Sequence, residues 1–154
     1  FSVHRLPDAQ GFVFVAGAIG IAPVLGCLRT VADRGDARPC TLFYANADLP
    51  HAAHAGELAE LAARLQLQIV HVLERAAAAT SISISNDVVA ARVGAAIEPG
   101  WVTREVLERH LPADRTGLEF FLCGPKPMTA LVEHGLAALH VPAWHVRTEL
   151  FDLV

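Results

Sequence analysis

The chain has 154 residues, 53% of them apolar and 18% charged, with a formal net charge of −4. That length supports one domain with a single buried core, and the apolar fraction excludes a disordered chain. Lysines and arginines form no basic cluster, which excludes nucleic acid as a partner, because phosphate neutralisation needs a concentrated cationic surface.

Lys126 is the only lysine among the 12 basic residues, a bias that reads as genome composition. Cys27, Cys40 and Cys123 are far apart and form no CxxC pair. Neither an iron–sulfur site nor a zinc ribbon is suggested, and the unpaired odd number fits a reducing compartment. Residues 11–28 are uncharged over the length of a membrane span. Gly11, Gly17, Gly20, Pro23 and Gly26 interrupt the run, so it reads as a strand followed by a helix, not as a span. The first residues carry no signal-peptide pattern. The chain opens on Phe1 without a Met, and the expectation is that it was cut from a longer protein.

In chain order, residues 1–11 read as a strand remnant and a linker, with Pro7, Asp8 and Gly11 as turn residues. Phe12–Ala16 is an apolar run without alternation, as in a parallel strand buried on both faces. It breaks at Gly17-Ala-Ile-Gly20 and restarts as a helix near Pro23, with Leu25, Leu28, Val31 and Ala32 at helical spacing and Gly35 as the stop. Cys40–Ala45 is a second strand, Asn46–Pro50 a loop, Glu57–Leu65 a helix and Gln68–Leu73 a third strand. This βαβαβ order predicts a doubly wound α/β fold with a parallel sheet and right-handed crossovers.

The segment from 74 to 100 is harder to read. Ser81–Ser85 alternates as a short edge strand would, and Asn86 or Asp87 is placed to cap a helix through Val89, Val93 and Ile97. Thr103 caps a helix to His110, and Pro112 and Gly117 bound a loop. Leu118–Cys123 is a fourth strand, ending in a second turn at Gly124-Pro-Lys-Pro-Met128. A helix with Met128, Leu131, Val132, Gly135, Leu136 and Leu139 on one face follows, then a strand at Trp144–Thr148 and a tail from Glu149 to Val154.

Both glycine turns fall at C-terminal strand ends, where open parallel sheets bind ligands. A turn of this kind before a helix offers unpaired backbone N–H groups and partial positive charge to a phosphate. The first turn is neither a G-x-G-x-x-G fingerprint nor a P-loop.

Four stretches occur in order: A-G-A-I-G-I-A-P, the strand-terminal Y-A-N, F-L-C-G-P-K-P-M and T-E-L-F. Together they resemble the NAD(P)-binding domain of the ferredoxin–NADP reductase superfamily. The resemblance covers Phe12 to about Leu73 and Gly100 to Val154, leaving 74–99 as an atypical insertion or loop. It implies a five-stranded sheet in the order 3-2-1-4-5. It also implies NADH or NADPH on residues 12–154 and FAD on a preceding six-stranded barrel, of which 1–11 would be the end. Hydride would pass from nicotinamide C4 to flavin N5 and electrons then onward to an acceptor that the sequence does not name.

By this resemblance Gly17, Ala18, Ile19, Gly20 and Ile21 form the pyrophosphate loop, and Pro23 opens the helix. Cys123 lies beside the nicotinamide, with Gly124, Pro125 and Met128 against the dinucleotide. Glu149 and Phe151 sit at the flavin–nicotinamide junction, Phe151 as an aromatic cover. Cys123 is expected to pack and orient, since the hydride chemistry belongs to the cofactors.

The loop after the second strand, with Asn46 and Asp48, carries the choice of nucleotide. It holds no Arg, and Asp48 would repel a 2′-phosphate, so NADH is favoured. His51 and His54 have H-x-x-H spacing without a third ligand, so no metal is expected.

The chain alone is expected to be incomplete and inactive. Its place is cytoplasmic, including as the cytoplasmic part of a membrane-anchored, ferric-reductase-like parent. A short-chain dehydrogenase is disfavoured, because the only tyrosine, Tyr44, is followed four residues on by Asp48 and not by Lys. The remaining alternative is a catalytically silent electron-transfer or regulatory subunit that keeps the fold and docks a partner.

Overall fold

The computed structural model describes residues 1–77 and 95–150. Six strands form one parallel sheet: β1 Gly11–Gly17, β2 Cys40–Asn46, β3 Leu67–Leu73, β4 Ala95–Pro99, β5 Leu118–Gly124 and β6 Val146–Leu150. Their spatial order is β4-β3-β2-β1-β5-β6. Among the described residues four helices lie on it: α1 Ile21–Asp33, α2 Ala55–Arg64, α3 Arg104–His110 and α4 Lys126–Ala138.

The central strands are apolar throughout because each is covered twice. All seven residues of β1 are buried. One set of side chains, including Phe12, Phe14, Leu42, Tyr44, Ile69 and Phe121, packs with Leu25, Leu28, Leu58 and Leu61 of α1 and α2. The alternate set, including Val13, Val15, Phe43, Val70, Phe120 and Leu122, packs with Val106, Leu107, Val132 and Leu136 of α3 and α4. Each fully buried large side chain contributes about 1.5–3 kcal/mol. Phe14 and Phe121 stack across the β1–β5 pair with ring centroids 5.3 Å apart. Thr103 caps α3 as expected, its side chain accepting a hydrogen bond from Val106 N–H at 3.3 Å.

Three expectations are corrected. The sheet has six strands, not five, because Ala95–Pro99 pairs parallel with β3 at the edge. Ile97 therefore lies in a strand and not at the end of a helix. The segment is half-exposed and ends at Pro99, which an edge strand tolerates. At the other edge the strand starts at Val146, after a 3-10 turn at Ala143–His145, and runs to Leu150. Near the N-terminus Val3–Arg5 forms a 3-10 turn in place of a strand remnant, with Val3 buried under the sheet. The strand at Ser81–Ser85 and the caps at Asn86 and Asp87 lie outside the described residues. No helix among the described residues is long and apolar enough to cross a membrane.

Candidate functional site

The order of the sheet places β1 beside β5, with Ala16 level with Cys123. The two glycine turns at their ends therefore meet. A 3-10 turn at Ala18–Gly20 joins β1 to α1, with Ala18 at φ +49°, a left-handed conformation that costs a non-glycine residue about 1–2 kcal/mol. Gly20 sits so close to β5 that a Cβ there would lie 2.0 Å from the Cys123 carbonyl oxygen. A Cβ on Gly17 would lie 2.6 Å from Met128 Sδ, and one on Gly124 would lie 2.7 Å from Met128 Cε. These glycines are what allows the two turns to approach.

Gly20 is the N-cap of α1, and no side chain caps that helix. Its first turn keeps the partial positive charge of an uncapped helix N-terminus. Pro23 is accommodated in that turn, where an N–H would lack an intrahelical partner anyway. Ile19 is half exposed at the apex, and Ile21 turns back into the core.

A cleft of about 250 Å³ opens beside this junction. Gly17 and Ala18 form one wall, Pro125, Pro127 and Met128 a second, and Ala45, Asn46 and Ala47 the end of β2. Val72, Glu74, Gly100, Trp101 and Val102 close it on the β3–β4 side. Asn46 is 8% exposed, and its Nδ2 has no hydrogen-bond partner among the described residues. A buried amide nitrogen left without a partner costs about 1–3 kcal/mol. Trp101 is 53% exposed on the cleft wall. It follows Gly100, whose φ of +92° and N–H bond to the Leu73 carbonyl at 2.9 Å turn the chain away from β4.

Asp48 stands at the rim, and its carboxylate is already engaged. Oδ1 accepts the His51 backbone N–H at 3.1 Å and also contacts the His51 ring. Oδ2 accepts Arg75 Nη1 at 2.9 Å. The His51 ring, its backbone N–H and Arg75 hold the Asp48 carboxyl below the usual range. Arg75 also donates its backbone N–H to the Ala47 carbonyl at 2.9 Å, so the loops after β2 and β3 are joined twice. His54 lies 3.9 Å from Glu57, and no group of three potential metal ligands occurs among the described residues.

Cys123 is fully buried at the end of β5, and burial, with the charge of Glu149 second, pushes its thiol up to about 11. It stays protonated at neutral pH and acts as a small apolar group with a weak donor. Glu149 is level with Cys123 across the β5–β6 pair and is exposed. Phe151 lies outside the described residues.

Gly17, Ala18, Gly20, Cys123, Gly124, Pro125 and Met128 thus converge on one junction, and Asn46 is among the residues that line the cleft beside it. Sequence reasoning missed Glu74, Arg75, Gly100 and Trp101. The available signal was Pro-Gly-Trp, a turn pair delivering an aromatic residue. Arg75 had no local signal, because its partner is 27 residues away.

Residues 14–134 match the family described as the oxidoreductase NAD-binding domain. The ferredoxin reductase component of 3-ketosteroid-9-alpha-monooxygenase from Mycolicibacterium smegmatis is 30% identical over 142 residues, covering 91% of this chain and 33% of that protein. NADH-cytochrome b5 reductase 1 of Bos taurus is 29% identical over 133 residues, covering 82% and 37%. Among solved structures, Amycolatopsis cytochrome P450 reductase GcoB superposes with a TM-score of 0.74 at 20% identity, over 98% of this chain and 40% of that one. The flavohem-like FAD/NAD binding domain of nitric oxide dioxygenase from Vibrio cholerae gives 0.71 at 23%, over 98% and 54%. The chain spans about a third of the length of the curated relatives it matches. By the extent of the family match, it belongs to the oxidoreductase NAD-binding domain family.

Proposed function

We propose that the chain holds a reduced nicotinamide dinucleotide, with NADH preferred, for a flavin carried on another domain of the same parent protein. The observation that carries this reading is the meeting of two glycine turns at an uncapped helix N-terminus beside a cleft of about 250 Å³. The named relatives are reductases, and one neighbouring structure is described as an FAD/NAD binding domain.

When bound, NAD(P)H supplies a hydride at nicotinamide C4, and FAD is its acceptor. The chain contributes position. The uncapped start of α1 and the Gly17–Gly20 turn would hold the pyrophosphate. Met128 and Pro125 would pack the dinucleotide against the junction. The neutral Cys123 would give the nicotinamide an apolar neighbour at the end of β5 without competing as a nucleophile. Glu149 is the nearest exposed carboxylate by strand register, and Phe151 would close the ring from the tail. Residues 1–11 would connect to the flavin domain. The acceptor beyond the flavin lies outside the chain, and a membrane-anchored parent would present this domain on the cytoplasmic side.

Equilibrium titration of the chain with NADH and NADPH, followed by calorimetry and by tryptophan fluorescence, tests the reading. Saturable one-to-one binding is expected. No signal with either nucleotide at millimolar concentration would overturn it and favour a docking subunit.

A further inference from the structure

We propose that the choice between NADH and NADPH is set by an ion pair, in which Asp48 sequesters the Arg75 guanidinium that would otherwise receive a 2′-phosphate. This inference rests on the nucleotide-binding reading above and adds the residue pair that decides its specificity.

An acidic residue after β2 is ordinarily assigned to a ribose hydroxyl, and a nearby arginine to a 2′-phosphate. In this chain neither assignment is available as it stands. Both Asp48 oxygens are occupied, Oδ1 by His51 and Oδ2 by Arg75. Among the described residues Arg75 is the arginine at this rim, and its side chain is 67% exposed. Its backbone bond to Ala47 fixes it next to the cleft, whose wall includes Ala47 and Glu74.

The local charge has a definite sign. Among the described residues, Asp48 and Glu74 contribute two negative charges and Arg75 one positive, so this part of the rim repels a dianionic 2′-phosphate. Asp48 holds the guanidinium through a single, solvent-exposed contact, which makes it a removable restraint. Once Asp48 is neutral, the same arginine is within the loop that faces the ribose, and its fork of donors suits a phosphate. The rim then balances to zero with an unpaired guanidinium.

The test compares dissociation constants for NADPH and NADH on each of four proteins: the wild-type chain, Asp48→Asn, Arg75→Gln and the double variant. NADH binding on the same sample serves as the control for folding. The wild type should bind NADPH more weakly than NADH. Asp48→Asn should lower the NADPH-to-NADH ratio of dissociation constants by about tenfold or more, the scale of one hydrogen bond to a charged group. Arg75→Gln should raise that ratio, and in its background Asp48→Asn should lower it by clearly less than in the wild type, because only charge repulsion is then relieved. A wild-type ratio of one or below overturns the proposal. So does an unmoved ratio in Asp48→Asn with NADH still bound, or an equal gain in the double variant, which would make Asp48 repulsion alone responsible. Failure of the wild type to bind NADH overturns the nucleotide reading itself and this inference with it.

Discussion

The C-terminal edge of the sheet has two halves built on opposite principles. Where β1 meets β5, backbone touches backbone: Gly20 lies on the Cys123 carbonyl, and Gly17 and Gly124 lie under Met128. Where β2 and β3 end, the loops stand apart and are joined by the exposed Asp48–Arg75 pair and one backbone bond. Two of the buried polar atoms without partners among the described residues, Asn46 Nδ2 and His71 Nδ1, lie on these same two strands. The first half obtains its shape from the absence of side chains and tolerates no addition. The second carries unsatisfied and redistributable polar groups, which suits it to ligand discrimination.

The sharpest way to break this contrast is one methyl group at the closed junction. Gly20 has φ −62°, so alanine is conformationally acceptable there, and only space forbids it. The nearest atom is a strand carbonyl, which cannot swing aside as a flexible side chain would. Gly20→Ala should cost about 3 kcal/mol or more and abolish nucleotide binding. Gly35 provides the matched control. Its φ is +61°, and a methyl group there would meet nothing within 4 Å, so Gly35→Ala should cost only the backbone strain of about 1–2 kcal/mol and leave binding intact. Urea denaturation of both variants checks the difference. Equal losses would show that packing at the junction is looser than the geometry requires.

On the open half the corresponding change is Trp101→Ala. The side chain is half exposed and supports no core cluster, so stability should change little. If its face takes an aromatic ring of the dinucleotide, affinity for NADH should fall about tenfold, the usual scale of one base stacked on one aromatic side chain. Trp101→Phe should recover most of it. A Trp144→Phe background, which removes the other tryptophan, at 77% exposure, isolates the fluorescence of Trp101 for the titration. Undiminished affinity in Trp101→Ala would leave the wall of the cleft without a part in binding.

The same contrast decides what the sequence reveals. The closed half is local in sequence. A continuous apolar run entering glycine and then a helix marks both β1 and β5, and the two turns are legible without their adjacency. The order from β3 through β2 to β1 follows from short right-handed crossovers, whereas the place of β5 beside β1 comes from the resemblance alone. The open half depends on contacts between loops remote in sequence. Asp48 suggests repulsion of a phosphate, but its pairing with Arg75 exists only because β3 lies beside β2. Likewise β4 carries Ala-Ala-Ile-Glu-Pro, half exposed and without a period, so Ile97 is as readily placed on a helix. Trp101 stands alone in a loop, where an aromatic residue has no pattern to join.

The smallest expected effect concerns His71, on β3 behind the open rim. It is 8% exposed, its ring centroid is 6.0 Å from that of Tyr44, and Nδ1 has no partner among the described residues. Burial lowers its pKa from the ordinary 6.5, so the folded protein holds this ring neutral where the unfolded chain would protonate it. The unfolded state then binds more protons, and stability falls as the pH drops below 6.5. The loss is at most about 1.4 kcal/mol per pH unit and stops once the folded-state pKa is passed. The carboxylates held low by ion pairs, such as Asp48 and Glu98, weaken the fold only further into the acid range, as pH falls toward and below their ordinary 3.8 and 4.5. Between pH 7 and pH 5.5 the slope therefore has a contribution that His71→Leu should remove, while also sparing the unpartnered nitrogen. Melting temperatures of wild type and variant across that interval check it. Parallel curves would mean that the ring finds a proton partner in the folded state, and that the open half is better satisfied than its described contacts indicate.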